Sequence, residues 1–393
     1  MQEPTTEERM KNRKASFKRA VAIIKEMIRK EFYQIRHDRK MLGVSIVAPV
    51  LQVLLLGYAA TTDITNSDMV VCDQDRTVES RQFLKEFTAS GYFVHRYSVE
   101  IPAQADTYIE TAQARIALMI PNGFGDDLLA HRTSRVQVVL DGTDANTSSI
   151  LLNYATQIVN SYSQKVMAEF SARLPGGVAR VLPEPRIWFN PDLKSSNFMV
   201  PGVVALVLMI ITMTLTSLGI VKEKEIGTME QLLVTPMKPY QMIIGKLIPF
   251  TMIGLVDVVV VLTLARFWFG VPMRGSLVVL FGLSGLFILT TLGLGLFIST
   301  IARSQQQAML IAQFFFFFPF MFLSGFTFPI ANMPAVIQPF TYLIPLRYFL
   351  EIVRGVFLKG TGLAELWPQA LALFGLGIAI FSLSVFRFRK TLE

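Results

Sequence analysis

Long apolar runs dominate the chain, and most of them follow residue 200. A helix of ~20 residues spans the ~30 Å hydrocarbon core of a bilayer, so a run of this length is typical of a membrane-spanning helix. Six runs are predicted as spans, at 41–61, 199–221, 242–268, 276–300, 308–328 and 367–387. The pattern therefore predicts an α-helical polytopic membrane protein.

A basic amphipathic helix is predicted before the first span, within 1–40. Apolar residues recur every three or four positions from Phe17 to Ile35, and lysines and arginines occupy much of the remainder. Such a helix can lie in the plane of the lipid headgroups, and its basic surplus places it on the cytoplasmic side. The alternative is a helix that packs on a soluble domain through its apolar face.

Short elements replace the long apolar runs between 62 and 198. Strands are predicted at 69–72, 92–99, 115–120 and 135–140, and helices at 79–90, 104–113, 123–131 and 148–170. Strands that alternate with helices favour an α/β domain whose sheet is covered by helices. With a cytoplasmic N-terminus, this domain and the proline-interrupted segment 329–366 both lie outside the cell.

A charged stretch separates the second and third spans. Lys222 begins a run of charges directly after an apolar run, so the chain is predicted to leave the bilayer there. Gly227 permits a turn, and Thr228 followed by Gln231 has the spacing of a capping box. Pro236 disfavours helical geometry in the residue before it. The stretch therefore predicts a short helix with defined ends.

The predicted short helix has one apolar face. Met229, Leu232 and Leu233 fall at i, i+3 and i+4. The region 222–241 is thus expected to form a rigid helical knob at the membrane surface. The alternative is an interfacial helix without a partner, although its three carboxylates fit poorly on an anionic lipid surface.

The same stretch resembles the cytoplasmic signature of the permease subunits of ABC-2-type exporters. The resemblance is carried by Glu223, Glu225, Gly227, Thr228, Glu230, Leu232, Thr235 and Pro236. In that family the stretch forms the coupling helix, which sits in a cleft of a separate ATP-binding subunit. The resemblance implies that these residues, together with Met229 and Leu233, couple this chain to an ATPase.

The resemblance extends over nearly the whole chain and implies a fold. It is strong in 200–390 and weak in 62–198. It implies a six-helix bundle of the ABC-2 permease type with an α/β extracytoplasmic domain inserted between spans one and two. In that family an elbow-like helix occupies the place of 1–40. The segment corresponding to 329–366 dips into the bilayer from outside and closes the external gate.

The composition supports a membrane protein and argues against other classes. Apolar residues make up 52% of the chain and charged residues 17%, and the net charge is +8. The basic residues before the first span, around 222–241, at Arg303 and in the C-terminal tail all fall on one predicted side. The charge is therefore interpreted as cytoplasmic-face bias and not as a nucleic-acid surface. The single cysteine, Cys72, excludes an intrachain disulfide and argues against a thiolate metal site.

Motifs for catalysis are absent from the sequence. Gly245 and Lys246 come closest to a phosphate-binding loop, but Tyr240 stands at the first glycine position and Leu247 replaces the hydroxyl residue. The histidines lack the spacing of metal ligands. The chain is therefore expected to be non-catalytic and to bind no cofactor, with ATP and magnesium on the partner subunit.

Asp257 lies well inside the predicted span 242–268. Intramembrane carboxylates are costly and usually face the bundle interior or a wet cavity. One hypothesis is that Asp257 lines the translocation pathway or contacts a cationic substrate. The alternative is that it hydrogen-bonds a neighbouring helix, or that Arg266 of its own helix approaches it through water.

Two further groups are candidates for the pathway or gate. Arg347, Glu351 and Arg354 are spaced i, i+4 and i+7, so Glu351 is predicted to pair with both arginines. They match the arginine-bearing helix of the external gate in the resembled family; a surface amphipathic helix is the alternative. The phenylalanine run from Phe314 to Phe318 either lines the pathway for apolar substrates or is lipid-facing or packed.

The resemblance implies the permease subunit of an ABC exporter for drugs or other hydrophobic or amphipathic compounds. A long insertion after the first span resembles a bacterial subset linked to multidrug efflux. The expected location is the bacterial inner membrane, with both termini cytoplasmic. The expected partners are an ABC ATPase subunit, a second permease subunit, a periplasmic adaptor protein and the lipid bilayer, with no nucleic acid.

Three other functions fit parts of the sequence. Export of lipid- or glycan-linked substrates is the nearest alternative, although polysaccharide-exporting relatives usually lack a large inserted domain. A gradient-driven carrier would require more intramembrane ionisable groups than Asp257. A membrane receptor would explain the domain at 62–198 but not the capped knob at 222–241.

Overall fold

A computed structural model describes residues 6–38, 41, 43–60, 66–173, 188–190, 194–227 and 239–392. The chain divides into two compact units. The first comprises Met1–Thr61 and Ile187–Glu393, and the second comprises Thr62–Arg186. Each unit has its own hydrophobic core.

The described part of the first unit begins with a long basic helix, α1 (Thr6–His37). A π-helical turn (Gly43–Val47) and α2 (Ala48–Ala60) follow. α1 corresponds to the predicted amphipathic helix. Its apolar face packs on the core of the unit through Met27 and Ile35, which are each 5% exposed. The face is thus used for contact with protein, and its position relative to lipid stays a prediction.

The second unit is an α/β domain. Its elements are β1 (Ser67–Asp73), α3 (Val78–Ala89), β2 (Phe93–Val99), α4 (Pro102–Glu110), β3 (Ile116–Ile120), α5 (Phe124–Leu129), β4 (Gln137–Leu140) and α6 (Ala145–Arg173). The strand order is β2-β1-β3-β4; β1 is parallel to β2 and to β3, whereas β4 is antiparallel to β3. Each strand and helix predicted in this stretch has a counterpart.

Helices cover both faces of the sheet. β3 is buried at every position, which explains why it reads as an unbroken apolar run. On one face, Phe83 and Phe87 of α3 share a core with Tyr154 of α6. On the other face, Ala105 of α4 packs with residues of β1 and β3. The domain is therefore built around a covered sheet.

A turn after β1 joins the carboxyl ends of β1 and β3. The Asp75 carboxylate accepts hydrogen bonds from the backbone N–H groups of Gly123 and Gly125, both at 2.8 Å, and from the Thr77 hydroxyl. Desolvation would raise the pKa of Asp75, but these hydrogen bonds outweigh it and hold the pKa below its usual value. The ionised side chain thus fixes two loops at this edge of the sheet.

The first unit resumes with the remaining helices. These are α7 (Ser195–Ile226), α8 (Pro239–Thr263) with a π-helical turn (Leu264–Trp268), α9 (Leu277–Ile301), α10 (Gln305–Ile311), a π-helical turn (Ala312–Phe317), α11 (Phe318–Leu323), α12 (Pro345–Arg354) with a π-helical turn (Gly355–Lys359), and α13 (Leu363–Leu392). Two short 3-10 turns, Ile330–Asn332 and Gln338–Leu343, precede α12. The described part of this unit therefore consists of helices and the loops that connect them.

Among the described residues, five helical stretches are long and apolar enough to cross a membrane. They are Ser195–Ile226, Tyr240–Trp268, Leu277–Ile301, Gln305–Leu323 and Leu363–Arg387. The predicted span 41–61 corresponds to a shorter apolar helix, Ser45–Ala60. A sixth crossing at this place stays a prediction, as does the extracytoplasmic position of the α/β domain.

α7 lies at the centre of the first unit. Between its polar N-terminal residues and its charged C-terminal end it is mostly apolar, and every residue from Val200 to Met209 is buried. Its Thr212 hydroxyl lies 2.7 Å from the Thr291 hydroxyl of α9, which links the two helices inside the core. Ser384 of α13 donates to the Gly293 carbonyl of α9 at 2.9 Å. Hydroxyl groups thus join spans where water is excluded.

The interrupted segment before α13 packs into the same core. Leu346 and Phe349 of α12 are fully buried, and the Phe349 ring stacks on Phe287 of α9 with centroids 4.0 Å apart. The N–H groups of Arg274 and Gly275, in the loop before α9, donate to carbonyls of the π-helical turn that follows α12. α12 is therefore part of the helical unit; its depth in the membrane stays a prediction.

Candidate functional site

α7 extends beyond its predicted span and ends at the predicted turn. The helix continues to Ile226, and Gly227 adopts φ = +79° while its N–H donates to the Lys224 carbonyl at 3.2 Å. This left-handed conformation is readily available to glycine and commonly ends helices. The rest of the predicted coupling residues, Thr228, Met229, Glu230, Leu232, Leu233, Thr235 and Pro236, lie outside the described residues.

Four charged residues meet beside the last turn of α7, and we call them the ion cluster: Lys30, Glu31, Glu223 and Lys246. Lys30 donates to Glu223 Oε1 at 2.6 Å. The Lys246 ammonium donates to Glu31 Oε1 at 3.0 Å and forms an ion pair with Glu223 Oε2 at 2.9 Å. Glu31, Glu223 and Lys246 are 3%, 5% and 1% exposed. The cluster is therefore largely desolvated, and its formal charges balance.

The ion cluster connects three helices. Glu223 belongs to the end of α7, Lys246 to the first turns of α8, and the other two residues to α1. Breaking one partner of a buried pair is strongly destabilising, since the remaining charge stays uncompensated in a poorly solvated place. The charges thus hold the three helix segments in one arrangement.

Further contacts fix the same turn of α7. Lys222 forms an ion pair with Asp38, just after α1. The Lys224 ammonium donates to the Ser299 carbonyl near the end of α9 at 2.8 Å. The chain therefore enters the predicted coupling stretch from a base that is tied to several helices.

The predicted ATPase contacts of Glu223 and Glu225 have different surroundings in the structure. The buried Glu223 carboxylate binds Lys30 and Lys246 of its own chain, and its contact with the ATPase stays a prediction. Glu225 is exposed, and its Oε2 accepts from the side-chain and backbone N–H groups of Gln305 at 2.8 and 3.3 Å. It thereby caps α10.

Sequence reasoning missed Lys30, Glu31 and Lys246 as functional residues. A signal for two of them was present. Lys246 stands inside a predicted span, where a lysine requires a carboxylate partner. Glu31 lies four residues from both Met27 and Ile35, on the apolar stripe of α1. Because Glu31 and Lys246 are opposite charges in apolar surroundings, each could be expected to pair with the other.

Asp257 lies inside the bundle. It is 2% exposed, and its Oδ2 has no hydrogen-bond partner among the residues that the structure describes. Arg266 instead donates to the Val271 carbonyl at 3.3 Å. An inward-facing carboxyl group is compatible with a pathway role, which stays a prediction.

Asp257→Asn is expected to lower export of cationic compounds about tenfold, because a charge-assisted contact is lost, and to leave export of neutral compounds unchanged. The replacement has nearly the same shape, so the folded amount in the membrane should not change. Efflux of paired cationic and neutral dyes from whole cells measures the effect. Wild-type export of every substrate would refute the pathway role.

The predicted pairs of Glu351 with two arginines do not form. Glu351 is exposed and accepts from the Gln369 side chain at 3.0 Å. The Arg347 guanidinium lies 3.9 Å from the Tyr342 ring centroid, and that of Arg354 lies 3.7 Å from the Phe198 ring centroid. Planar guanidinium groups stack well on aromatic rings, which here replace the carboxylate as partners.

The phenylalanine run does not have one common environment. Phe314 is 60% exposed on the helical unit, whereas Phe318 packs against its core. The two rings contact each other with centroids 5.7 Å apart. The outward-facing alternative fits Phe314, and a packing role fits Phe318.

The geometry gives no support for a cofactor or metal site in the described part of the chain. No group of three or more histidine, cysteine, aspartate or glutamate residues there could hold a metal ion. Burial, and then the neighbouring charge of Asp73, raise the pKa of the Cys72 thiol. A thiol held protonated is a poor nucleophile. Cofactor-free operation stays a prediction.

Comparison with known proteins identifies the family. The family model described as ABC-2 family transporter protein matches residues 39–386. The chain belongs to the ABC-2 transporter family. This ABC-2 permease is 31% identical over 361 residues to the "Probable multidrug ABC transporter permease YbhR" of Escherichia coli (strain K12), covering 91% of this chain and 96% of that protein.

Two other relatives agree with this assignment. The permease is 33% identical over 365 residues to the "Probable multidrug ABC transporter permease YbhS" of the same strain, covering 93% of this chain and 96% of that protein. It is 27% identical over 369 residues to the "Inner membrane transport permease YhhJ", also of that strain, covering 92% and 96%. The match to the family includes the inserted α/β domain, whereas Lys30 and Glu31 precede the matched range.

Proposed function

We propose that this permease forms the translocation pathway of an ABC exporter for drugs or other hydrophobic or amphipathic compounds. A separate ATPase subunit powers it, and a second permease subunit completes the pathway. Family membership supports both partners, and the names of the relatives support the substrate class. The proposed location is the bacterial inner membrane, with both termini in the cytoplasm.

The observation that carries this proposal is the construction of the α7 end. α7 ends at Gly227, and the ion cluster fixes this end to α1 and α8. Such a helix can transmit force from the stretch 228–236 to the rest of the helical unit. Without the ion cluster, force on the stretch 228–236 would bend the chain locally and would not reach the pathway. Because the ion cluster joins α1, α7 and α8, these helices move together.

α7 also leads to the proposed outer gate. Its first turn bears Phe198, which contacts the Arg354 guanidinium of α12, about 40 Å along the helix from Gly227 at ~1.5 Å per residue. One turn further, Gly202 leaves the space that the Phe326 ring occupies. Displacement of α7 would therefore act on α12 and the segment before it. We propose that ATP-driven closure of the ATPase opens the gate by this route.

The chemistry of nucleotide hydrolysis belongs to the partner in this proposal. ATP and magnesium bind the ATPase subunit, and this chain supplies binding surfaces and a path for the cargo. Drug-like cargo is supported by the apolar character of the unit. A periplasmic adaptor protein is proposed as the partner of the α/β domain.

The proposal is tested by copurification with the ATPase subunit, followed by ATP turnover in lipid with and without candidate drugs. Substrate-stimulated turnover that requires this chain is the expected result. A chain that transports drugs without any ATPase subunit would contradict it.

Glu230→Lys is expected to lower substrate-stimulated ATP hydrolysis about tenfold, since a charge-assisted contact to the ATPase becomes a repulsion. Membrane insertion should not change, because Glu230 precedes the third span. Glu100→Lys, on the exposed surface of the α/β domain, is the matched control. If Glu230→Lys kept the substrate-stimulated ATP hydrolysis of the wild type, the predicted coupling helix would not be the ATPase contact.

A further inference from the structure

An open apolar cleft lies between the end of α8 and the beginning of α9. Its volume is about 790 Å³. One stripe of α8 and its π-helical turn forms one wall, and the first turns of α9 with the preceding loop form the other. The lining residues are Val259, Leu262, Thr263, Arg266, Phe267, Met273, Gly275, Leu277, Val278 and Phe281. The cleft is large enough for a hydrocarbon chain and is dominated by apolar side chains.

Aromatic residues indicate where this cleft lies relative to the membrane surface. Trp268 is 60% exposed, and its indole N–H donates to the Tyr58 hydroxyl of α2 at 3.0 Å. Phe267 is 82% exposed. Tryptophan and tyrosine concentrate at the level of the lipid headgroups, where their rings meet both apolar and polar surroundings. The Arg266 end of the cleft is therefore at headgroup level.

Arg266 lies at the end of α8, which the predicted topology places on the outer side, opposite the cytoplasmic basic clusters. Arg274, in the loop before α9, falls on the same predicted side. Arg266 forms no ion pair with a carboxylate among the described residues, and its guanidinium donates to the Val271 carbonyl at 3.3 Å. Its guanidinium therefore retains donors for an anion at the mouth of the cleft.

The α9 N-terminus adds a second attraction for an anion. Leu277 and Val278, its first two residues, line the cleft, and Ser276 at the N-cap makes no side-chain hydrogen bond to the helix. The first backbone N–H groups of a helix lack intrahelical partners and carry partial positive charge. A guanidinium and a helix N-terminus thus border the same opening.

We propose that this cleft is a binding site for an anionic phospholipid from the outer leaflet. The phosphate headgroup binds Arg266 at the mouth, and one acyl chain follows the apolar wall toward Leu262. The loop that carries Gly275 is joined by a backbone hydrogen bond of 2.9 Å to Val356, after α12. A bound lipid would therefore contact a loop that is attached to the interrupted segment.

Arg266→Gln is expected to weaken retention of phosphatidylglycerol about tenfold, because a charge-assisted contact to phosphate is lost. Native mass spectrometry of the full-length permease in detergent measures retention, with phosphatidylcholine of the same acyl chains as the zwitterionic probe. The wild type is expected to retain phosphatidylglycerol preferentially, and Arg266→Gln to lose this preference. Equal retention of phosphatidylglycerol by both proteins would overturn the proposal.

Arg303→Gln is the matched control, since it removes an exposed arginine on the opposite predicted side. It should keep the preference of the wild type. Val278→Trp is expected to reduce retention of both lipids, because the larger side chain fills the cleft. The Val278 side chain is 81% exposed, so its replacement does not disturb the core. Unchanged retention in Val278→Trp would show that lipid binds elsewhere.

Two other occupants give distinct results. If millimolar inorganic phosphate displaced phosphatidylglycerol, the site would recognise free anions, and the lipid assignment would be overturned. If Val278→Cys formed disulfide-linked dimers, a second copy of the chain would cover the cleft, which would also overturn it. The native Cys72 is buried, so the introduced thiol would report selectively. No displacement and no cross-linking are the expected results.

Discussion

Lys246→Met is expected to abolish most substrate-stimulated ATP hydrolysis and to destabilise the helical unit by about 3–5 kcal/mol. The side chain is almost fully buried, and its removal leaves Glu31 and Glu223 as neighbouring carboxylates, with Lys30 as the remaining cation of the ion cluster. Thermal unfolding of the purified permease measures the stability. ATP turnover of the reconstituted complex measures the coupling.

The paired variants separate a local electrostatic effect from general damage. Lys246→Met combined with Glu223→Gln removes one charge of each sign, so it should recover part of the stability lost in the single variant. Lys359→Met, at an exposed lysine, should behave as the wild type. Recovered stability without recovered turnover would assign the cluster to coupling. Wild-type stability and turnover in Lys246→Met would exclude both roles.

Gly295→Ala is expected to destabilise the helical unit by about 1–3 kcal/mol, the usual cost of overpacking a close contact. A Cβ atom at this position would lie 2.5 Å from the Met213 carbonyl oxygen and 2.7 Å from the Thr216 Cβ. The carbonyl oxygen belongs to the α7 backbone and cannot rotate away as a side chain can. α7 and α9 would therefore separate, and export should fall with stability. Thermal unfolding in detergent, with export measured in cells, gives both quantities.

Gly282→Ala is the control within the same helix. A Cβ at Gly282 would meet nothing within 4 Å. Alanine there should leave stability unchanged or raise it slightly, by up to about 1 kcal/mol, because it favours the helix. Equal effects of the two substitutions would mean that α7 and α9 do not approach as closely as the structure has them.

Local patterns were sufficient for the secondary structure of the α/β domain. The strands of 62–198 are short, apolar and separated by amphipathic helices, and each element depends mainly on its own residues. The turn at Gly227 was equally readable, since a glycine after a charged helix end needs no distant partner. The family signature further along, from Thr228 to Pro236, lies outside the described residues and stays a prediction.

Contacts between residues that are distant in the sequence could not be predicted from local patterns. Glu351 stands at helical spacing from Arg347 and Arg354, yet its carboxylate accepts a hydrogen bond from the side chain of Gln369, 18 positions away. Spacing along one helix shows which groups can meet. It does not show which aromatic rings or amides a neighbouring helix brings closer.

Apolar run length and charge bias are properties of consecutive residues, so they were enough to identify a polytopic membrane protein, and the resemblance of one local stretch indicated the ABC-2 family. The burial of Glu223 between Lys30 and Lys246, 193 and 23 positions away, became visible only in the folded bundle. Two glycines of α9 also differ only in the folded structure: Gly295 lies against the α7 backbone, whereas Gly282 has open space beside it. The reason is physical: burial and close approach depend on which helix faces which, and that is settled by packing of the whole bundle.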